Sequence, residues 1–216
     1  MNLCIDQLSL CNFDLIVLNQ DISNVPHFET LFHKARLRIC ADGGYDRLKD
    51  GMTPDYVIGD MDSVRRSTKG VKVIADSDQN STDLDKCIKW CNSELIVAVG
   101  GLSGRLDHTL ANINSAYLHP NRLILIDEAN LCIALSPQAE HHIDCGKHTM
   151  VGVVPLASPI HCTTKGLKYE MEKTRLCFGE IISTSNEGQV FDLFFTGPAP
   201  ALFTCEHKWL GSPQRK

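Results

Sequence analysis

A chain of 216 residues, 43% hydrophobic and 22% charged, is long enough for one large globular domain or two modest ones. Its formal net charge of −5 offers no basic footprint for nucleic acid. No run approaches the roughly 18 apolar residues of a membrane span, so a soluble chain is expected. An acidic ligand such as a nucleotide then needs a local basic patch or a metal ion.

The ten cysteines stand at 4, 11, 40, 87, 91, 132, 145, 162, 177 and 205, with no Cys-x-x-Cys pair. Several lie inside apolar runs, so buried, reduced thiols in a cytoplasmic protein are expected rather than a disulfide framework. The start, Met1 to Asp6, lacks a basic region and a continuous apolar core, so no secretory signal is expected.

In chain order, Asp14–Asn19 is the first short apolar run. Phe28, Leu31 and Phe32 recur at helical spacing within His27–Ala35. Strand patterns follow at Leu37–Ala41, Tyr56–Ile58 and Val71–Ala75, with a short helix at Tyr45–Asp50. Asp83–Cys91 reads as a helix with Leu84, Cys87, Ile88 and Cys91 on its core face. Leu95–Val99 is a strand that stops at Gly100-Gly101, and a helix runs on to Tyr117. Arg122–Ile126 and Leu131–Leu135 complete this half. Continuous apolar strands alternating with helices predict an α/β domain over 1–138, doubly wound on a mostly parallel sheet.

Beyond Ser136-Pro137 the pattern changes. His141 to His148 reads as a polar linker. The segments Thr149–Val154, Gly166–Glu170, Leu176–Thr184 and Gln189–Phe195 predict a C-terminal antiparallel β-sandwich over 139–216, with a polar tail from Glu206. His141, His142, Cys145 and His148 invite a zinc site, but they lack a second ligand pair, and a solvated linker is preferred.

The chemistry-bearing residues share one regularity. Asp42, Asp60, Asp62, Asp78 and Asp107 each follow a predicted strand, and the C-terminal ends of parallel strands share the edge where ligands bind. Asp60-x-Asp62, read as extended, puts two carboxylates on one side and suits Mg²⁺; an acidic turn is the plain alternative. Asp42-Gly43-Gly44 is a tight turn with an acid at its mouth. Asp83 lies in the first turn of a helix that Ser81 or Thr82 caps, a local role sufficient in itself. Gly100, Gly101 and Gly104 let backbone approach an anion, and Arg105 adds a donor fork. Asp107 beside it either serves a metal or orients the arginine. No Walker A or Gly-x-Gly-x-x-Gly pattern is present.

The blocks Ala41–Gly44, Pro54–Ser63, Asp78–Lys86 and Gly100–Asp107, followed by Thr164–Tyr169, Phe178-Gly179 and Ser183–Asn186, resemble the thiamine pyrophosphokinases (thiamine diphosphokinases) in order and spacing. The resemblance implies transfer of the pyrophosphoryl group of ATP to the thiamine hydroxyl, with Mg²⁺ required and a homodimer binding thiamine where two subunits meet. It implies metal and phosphate roles for Asp60, Asp62 and Asp83, with Asp83 also accepting or orienting the hydroxyl proton. Arg105 is then the phosphate contact, and Asp42, Gly43, Gly44, Gly100, Gly101 and Asp107 shape the nucleotide site. Gln79, Tyr169, Leu176, Ser183 and Asn186 are the implied thiamine contacts. The family commonly has Trp where this chain has Tyr169 and Phe203. Two other readings stay open: a catalytically silent nucleotide- or thiamine-binding regulator, and a Mg²⁺-dependent phosphohydrolase using Asp60 or Asp62.

Overall fold

A computed structural model describes residues 1–4 and 12–206; Cys11 and the tail with Trp209 and Leu210 lie outside the described residues. The chain divides into two compact units. The first holds β2 (Phe13–Val17), α1 (Phe28–Lys34), β3 (Leu37–Ala41), a 3₁₀ turn (Asp42–Arg47), β4 (Tyr56–Gly59), β5 (Lys72–Ala75), α2 (Asp83–Ile88), β6 (Leu95–Val99), most of α3 (Leu106–Leu118) and β7 (Leu123–Ile126). Its strands run parallel in the order β7-β6-β2-β3-β4-β5.

The central strands are buried along their length, as continuous Val, Ile and Leu runs require. Each fully buried aliphatic side chain there contributes roughly 1.5–3 kcal/mol by leaving water. The stripe Leu84, Cys87, Ile88 and Cys91 is core, as expected. Burial pushes the Cys91 thiol up to about 12, which makes it inert packing. The expected helix at Tyr45–Asp50 is instead the 3₁₀ turn, which starts three residues earlier, straight off β3. Connections leave β2 toward β3 and β6 toward β7, on opposite sides. A crevice therefore opens at the C-terminal ends of these two neighbours.

At the opposite edge, buried Asp14 fastens two loops. It accepts from Arg36 Nη2 at 2.7 Å, Asn92 N at 2.8 Å, and Ser93 N and Oγ at 2.9 Å. Burial alone would raise its pKa, but these donors outweigh burial and hold it below the usual carboxylate value.

The second unit holds β1 (Asn2–Cys4), β8 (Asn130–Leu135), β9 (Glu140–Val154), β10 (Ile160–Lys165), β11 (Thr174–Leu176), β12 (Ser183–Thr196) and β13 (Ala201–Glu206). Antiparallel pairs give the order β11-β10-β12-β9-β13-β8, and β1 lies parallel to β9. This is the expected antiparallel β-sandwich. β9 pairs with β13 at Val151–Val154 and with β1 at His142–Asp144, so one long strand serves both ends. β8, expected with the α/β half, pairs with β13 from Asn130 to Leu135.

Two readings are corrected. Gly166–Glu170 is a bend after β10, not a strand, with Gly166 at φ 99°. The polar linker at His141–His148 is part of β9, whose alternation buries His141 and Cys145 and exposes His142 and His148. Ligands on opposite faces cannot close around one zinc ion. His142 pairs with Asp192 at 2.8 Å. His141 stacks on Phe195 with centroids 6.0 Å apart and bonds the Ser136 carbonyl through Nε2 at 2.8 Å. Among the described residues its buried Nδ1 has no partner, which suits a bare lone pair on a neutral ring.

Two outcomes follow. Asp14→Ala should cost about 3 kcal/mol in denaturant titration, since it strips a buried acceptor from Arg36 and three other donors. Burial holds the His141 pKa below 6.5, so the folded state favours the neutral ring. Its contribution is complete above 6.5 and is lost as the pH falls through the lowered folded value. His141→Gln should therefore flatten the pH dependence of the melting temperature just below neutrality, and an unchanged dependence would refute this assignment.

Candidate active site

Three carboxylates converge at the C-terminal edge of the parallel sheet. An oxygen from each of Asp42, Asp60 and Asp62 lies within 4.8 Å of the others. Asp42 opens the 3₁₀ turn after β3, at φ 41°. Its Oδ2 accepts from Ser63 N at 3.2 Å, while its buried Oδ1 has no partner among the described residues. Asp60 and Asp62 follow β4 and are exposed; Asp60 Oδ1 accepts from Asp62 N at 3.4 Å and Asp62 from Ser63 Oγ at 2.8 Å.

The segment is not extended, as the sequence suggested. In a strand, Cβ atoms two residues apart are separated by roughly 7 Å. Here Met61 sits at φ 68°, a left-handed conformation that costs a non-glycine residue roughly 1–2 kcal/mol. The bend gathers the acids around one point instead of spacing them along a line. Gly59 makes this possible: a Cβ there would lie 2.8 Å from the Asp42 Cβ.

Burial raises the Asp42 pKa, the Ser63 donors lower it, and the charges of Asp83 and Asp60 raise it further, with a net rise. An orphaned buried carboxylate oxygen beside two exposed carboxylates is an all-oxygen donor set, and it fits a hard divalent cation such as Mg²⁺.

Asp83 stands outside the triad, in the first turn of α2, and pairs with buried Lys86 at 3.4 Å. Thr82 caps that helix in a capping box with Asp85, whose other oxygen accepts from Ser115 Oγ at 2.6 Å. Asp78 is occupied by Asn80 N and Ser81 Oγ. Gln79 is exposed, its amide 3.4 Å from the Ser77 carbonyl.

Arg105 and Asp107 form an exposed bidentate pair at 3.1 and 2.6 Å. Gly100, at φ 75°, and Gly101 pack on the loop after β2, where a Gly100 Cβ would come within 2.9 Å of Ile22 Cγ2. Gln20 Oε1 reaches across to accept from Ser103 N at 2.6 Å. Gly43 and Gly44 are buried against Asn19 and the Val17 carbonyl.

In the β unit, Tyr169 is exposed, with Lys168 Nζ 5.4 Å from its ring centroid. Asn186 is buried and its amide is spent on that segment: Oδ1 accepts from Tyr169 N at 3.0 Å and Nδ2 donates to Tyr169 O at 2.7 Å. Leu176 and Phe203 are buried, Phe203 with its centroid 6.0 Å from that of Phe191, so neither offers an open face within the single chain. Ser183 begins β12.

Residues 28–126 match the family model described as thiamin pyrophosphokinase, catalytic domain, and residues 140–190 match its vitamin B1 binding domain. Thiamine pyrophosphokinase 2 of Arabidopsis thaliana is 34% identical, across 96% of this chain and 91% of that one. Thiamin pyrophosphokinase 1 of Caenorhabditis elegans is 32% identical, across 82% of each. The chain belongs to the thiamine pyrophosphokinase family. The fold agrees: the structure of thiamin pyrophosphokinase from Candida albicans superposes with a TM-score of 0.83 at 21% identity, over 96% of this chain and 92% of that one.

Within this thiamine pyrophosphokinase family member, the catalytic-domain match spans the whole acid triad and the vitamin B1 match spans Tyr169, Leu176, Ser183 and Asn186. Sequence reasoning missed Lys86, Ser63 and Gly59. Lys86 is the one with a readable signal, a lysine three residues after Asp83 on a helix face that otherwise reads as core.

Asp42→Asn should melt above the wild type in chelator, because it removes a like charge from the triad. It should also lose the Mg²⁺-dependent rise in melting temperature that the wild type shows. An undiminished Mg²⁺ response in Asp42→Asn would remove Asp42 from the ligand set.

Proposed function

We propose that this chain transfers the pyrophosphoryl group of ATP to the hydroxyl of thiamine, giving AMP and thiamine diphosphate. The observation that carries this reading is the convergence of Asp42, Asp60 and Asp62, with the orphaned Asp42 oxygen, at the ligand edge of a chain of this family. Asp42, Asp60 and Asp62 would hold Mg²⁺, with Asp83 beside them. When bound, the ion offsets the charge of the ATP phosphates, which the carboxylates alone would repel.

The remaining work falls to this chain's own groups. Asp83 accepts or orients the hydroxyl proton of thiamine, and Lys86 fixes that carboxylate. Attack at the β-phosphorus leaves charge on the α-phosphate oxygen, so catalysis is mainly positioning and electrostatics. Arg105 meets phosphate. Its pair with Asp107 is exposed on both sides, 70% and 64%, and water screens such a pair, so little opposes its exchange for phosphate. Asp42, Gly43, Gly44, Gly100, Gly101 and Asp107 shape the nucleotide site.

Gln79, Tyr169, Leu176, Ser183 and Asn186 form the thiamine side. Tyr169 offers an aromatic face to the thiazolium cation, and Asn186 acts by holding the Tyr169 backbone. We place thiamine where two subunits of a homodimer meet. The exposed Tyr169, Phe178 and Ile181 of the β unit support a covered face there. Free cysteines, most of them buried, suit a cytoplasmic setting, and among the described residues no helix is long and apolar enough to cross a membrane.

Incubation with ATP, Mg²⁺ and thiamine should yield AMP and thiamine diphosphate in equal amounts; ADP or free phosphate instead would overturn the reaction. Asp83→Asn should lower kcat by about 100-fold or more while the fold survives, the loss typical of a general acid–base group. Near-normal turnover would remove Asp83 from the mechanism.

A further inference from the structure

Arg105 is not the only cation at this edge. Arg47 ends the 3₁₀ turn that Asp42 begins, and its guanidinium turns back to Asn19, two residues beyond β2. Nε and Nη2 both donate to Asn19 Oδ1, at 3.1 and 3.0 Å. A guanidinium carries five N–H groups, so most of its donors stay uncommitted. Among the described residues it has no ion-pair partner within 4 Å. Asp21, the carboxylate whose charge it feels, is turned to Ser23 N at 2.9 Å. Two other arginines at this end have side-chain partners: Arg66 bonds Asp50 and the Leu48 carbonyl, and Arg105 is paired with Asp107, whereas Arg65, past the triad loop, is bonded to Asp46 only through its backbone N.

The aim of Arg47 is built in. Asn19 lies against Gly43, where any Cβ would strike its amide. The glycine therefore lets Asn19 fold over the turn that carries Asp42. An amide oxygen directs a guanidinium without neutralising it, whereas a carboxylate would do both. The result is a full positive charge held at the C-terminal end of β2, beside the crevice between β2 and β6. It is linked through one short turn to the carboxylate triad.

We infer that Arg47, oriented by Asn19, binds the phosphate chain of the nucleoside triphosphate and is a second cation beside Arg105. This rests on ATP being the phosphoryl donor. Its planar fork matches two phosphate oxygens at once, which a lysine ammonium cannot do. Asn19 is then a positioning residue, and Gly43 is required for its placement.

The test is steady-state kinetics on the full chain, together with titration of a fluorescent ATP analogue in the absence of thiamine. Arg47→Ala should raise the KM for ATP and weaken analogue binding by about tenfold or more, the loss of a charge-assisted contact. The KM for thiamine should move by less than about twofold. Arg47→Lys should restore part of the loss. Asn19→Ala should shift the same two quantities in the same direction by a smaller factor. Lys49→Ala, two residues on and paired with Glu29, should leave all of them unchanged. Unchanged ATP affinity in Arg47→Ala overturns the inference. So does a parallel rise in both KM values, which marks a structural staple. Failure of the wild type to make AMP and thiamine diphosphate would sink the proposed reaction, yet the analogue titration would still decide Arg47.

Discussion

Like charges held close together are the constraint around which the rest of this molecule is arranged. Asp42, Asp60 and Asp62 place oxygens within 4.8 Å of one another, and the Asp42 oxygen that no donor among the described residues reaches is buried. Such a group is expensive, because burial and neighbouring charges both penalise its ionised form. The backbone adds its own cost at Asp42 and Met61, both at positive φ. Stability is supplied elsewhere, by the buried strands and by Asp14 with its four donors at the opposite edge. A fold that concentrates strain at one end and satisfied polar groups at the other has divided ligand binding from structural support.

The positive charges are graded in the same way. Lys86 is buried and committed to Asp83, so it tempers the acidic cluster from inside. Arg105 is exposed and paired with an exposed acid, a partner easily exchanged. Arg47 is held by a neutral amide and keeps its charge. Three cations with three kinds of partner give one fixed, one exchangeable and one standing charge around the proposed nucleotide site.

The α/β architecture was readable because apolar runs alternate with helical spacing, and that pattern is local. The edge shared by Asp42, Asp60 and Asp62 was readable from parallel topology alone. Their closeness was not, since it depends on Met61 adopting a conformation that no composition rule assigns to methionine. The His141–His148 stretch was misread because its histidines are polar by type, although strand alternation buries every second residue whatever its type. β8 looked like a further α/β strand because a buried antiparallel strand and a buried parallel one have the same apolar run; only its pairing with β13 separates them.

The thiamine side shows a different limit. Asn186, Leu176 and Tyr169 carry equal weight as residue types in a motif, yet they do unequal things here. Asn186 is consumed by the Tyr169 backbone, Leu176 is packed inside the β unit, and Tyr169 alone of the three presents its side chain to solvent. A motif records which residues must be present together, not which of them touch the ligand. Buried members of such a motif set the shape that an exposed member presents. On the proposed assignment, the chemical contact in the β unit is therefore concentrated in few side chains, and the rest of the motif acts through the backbone geometry it enforces.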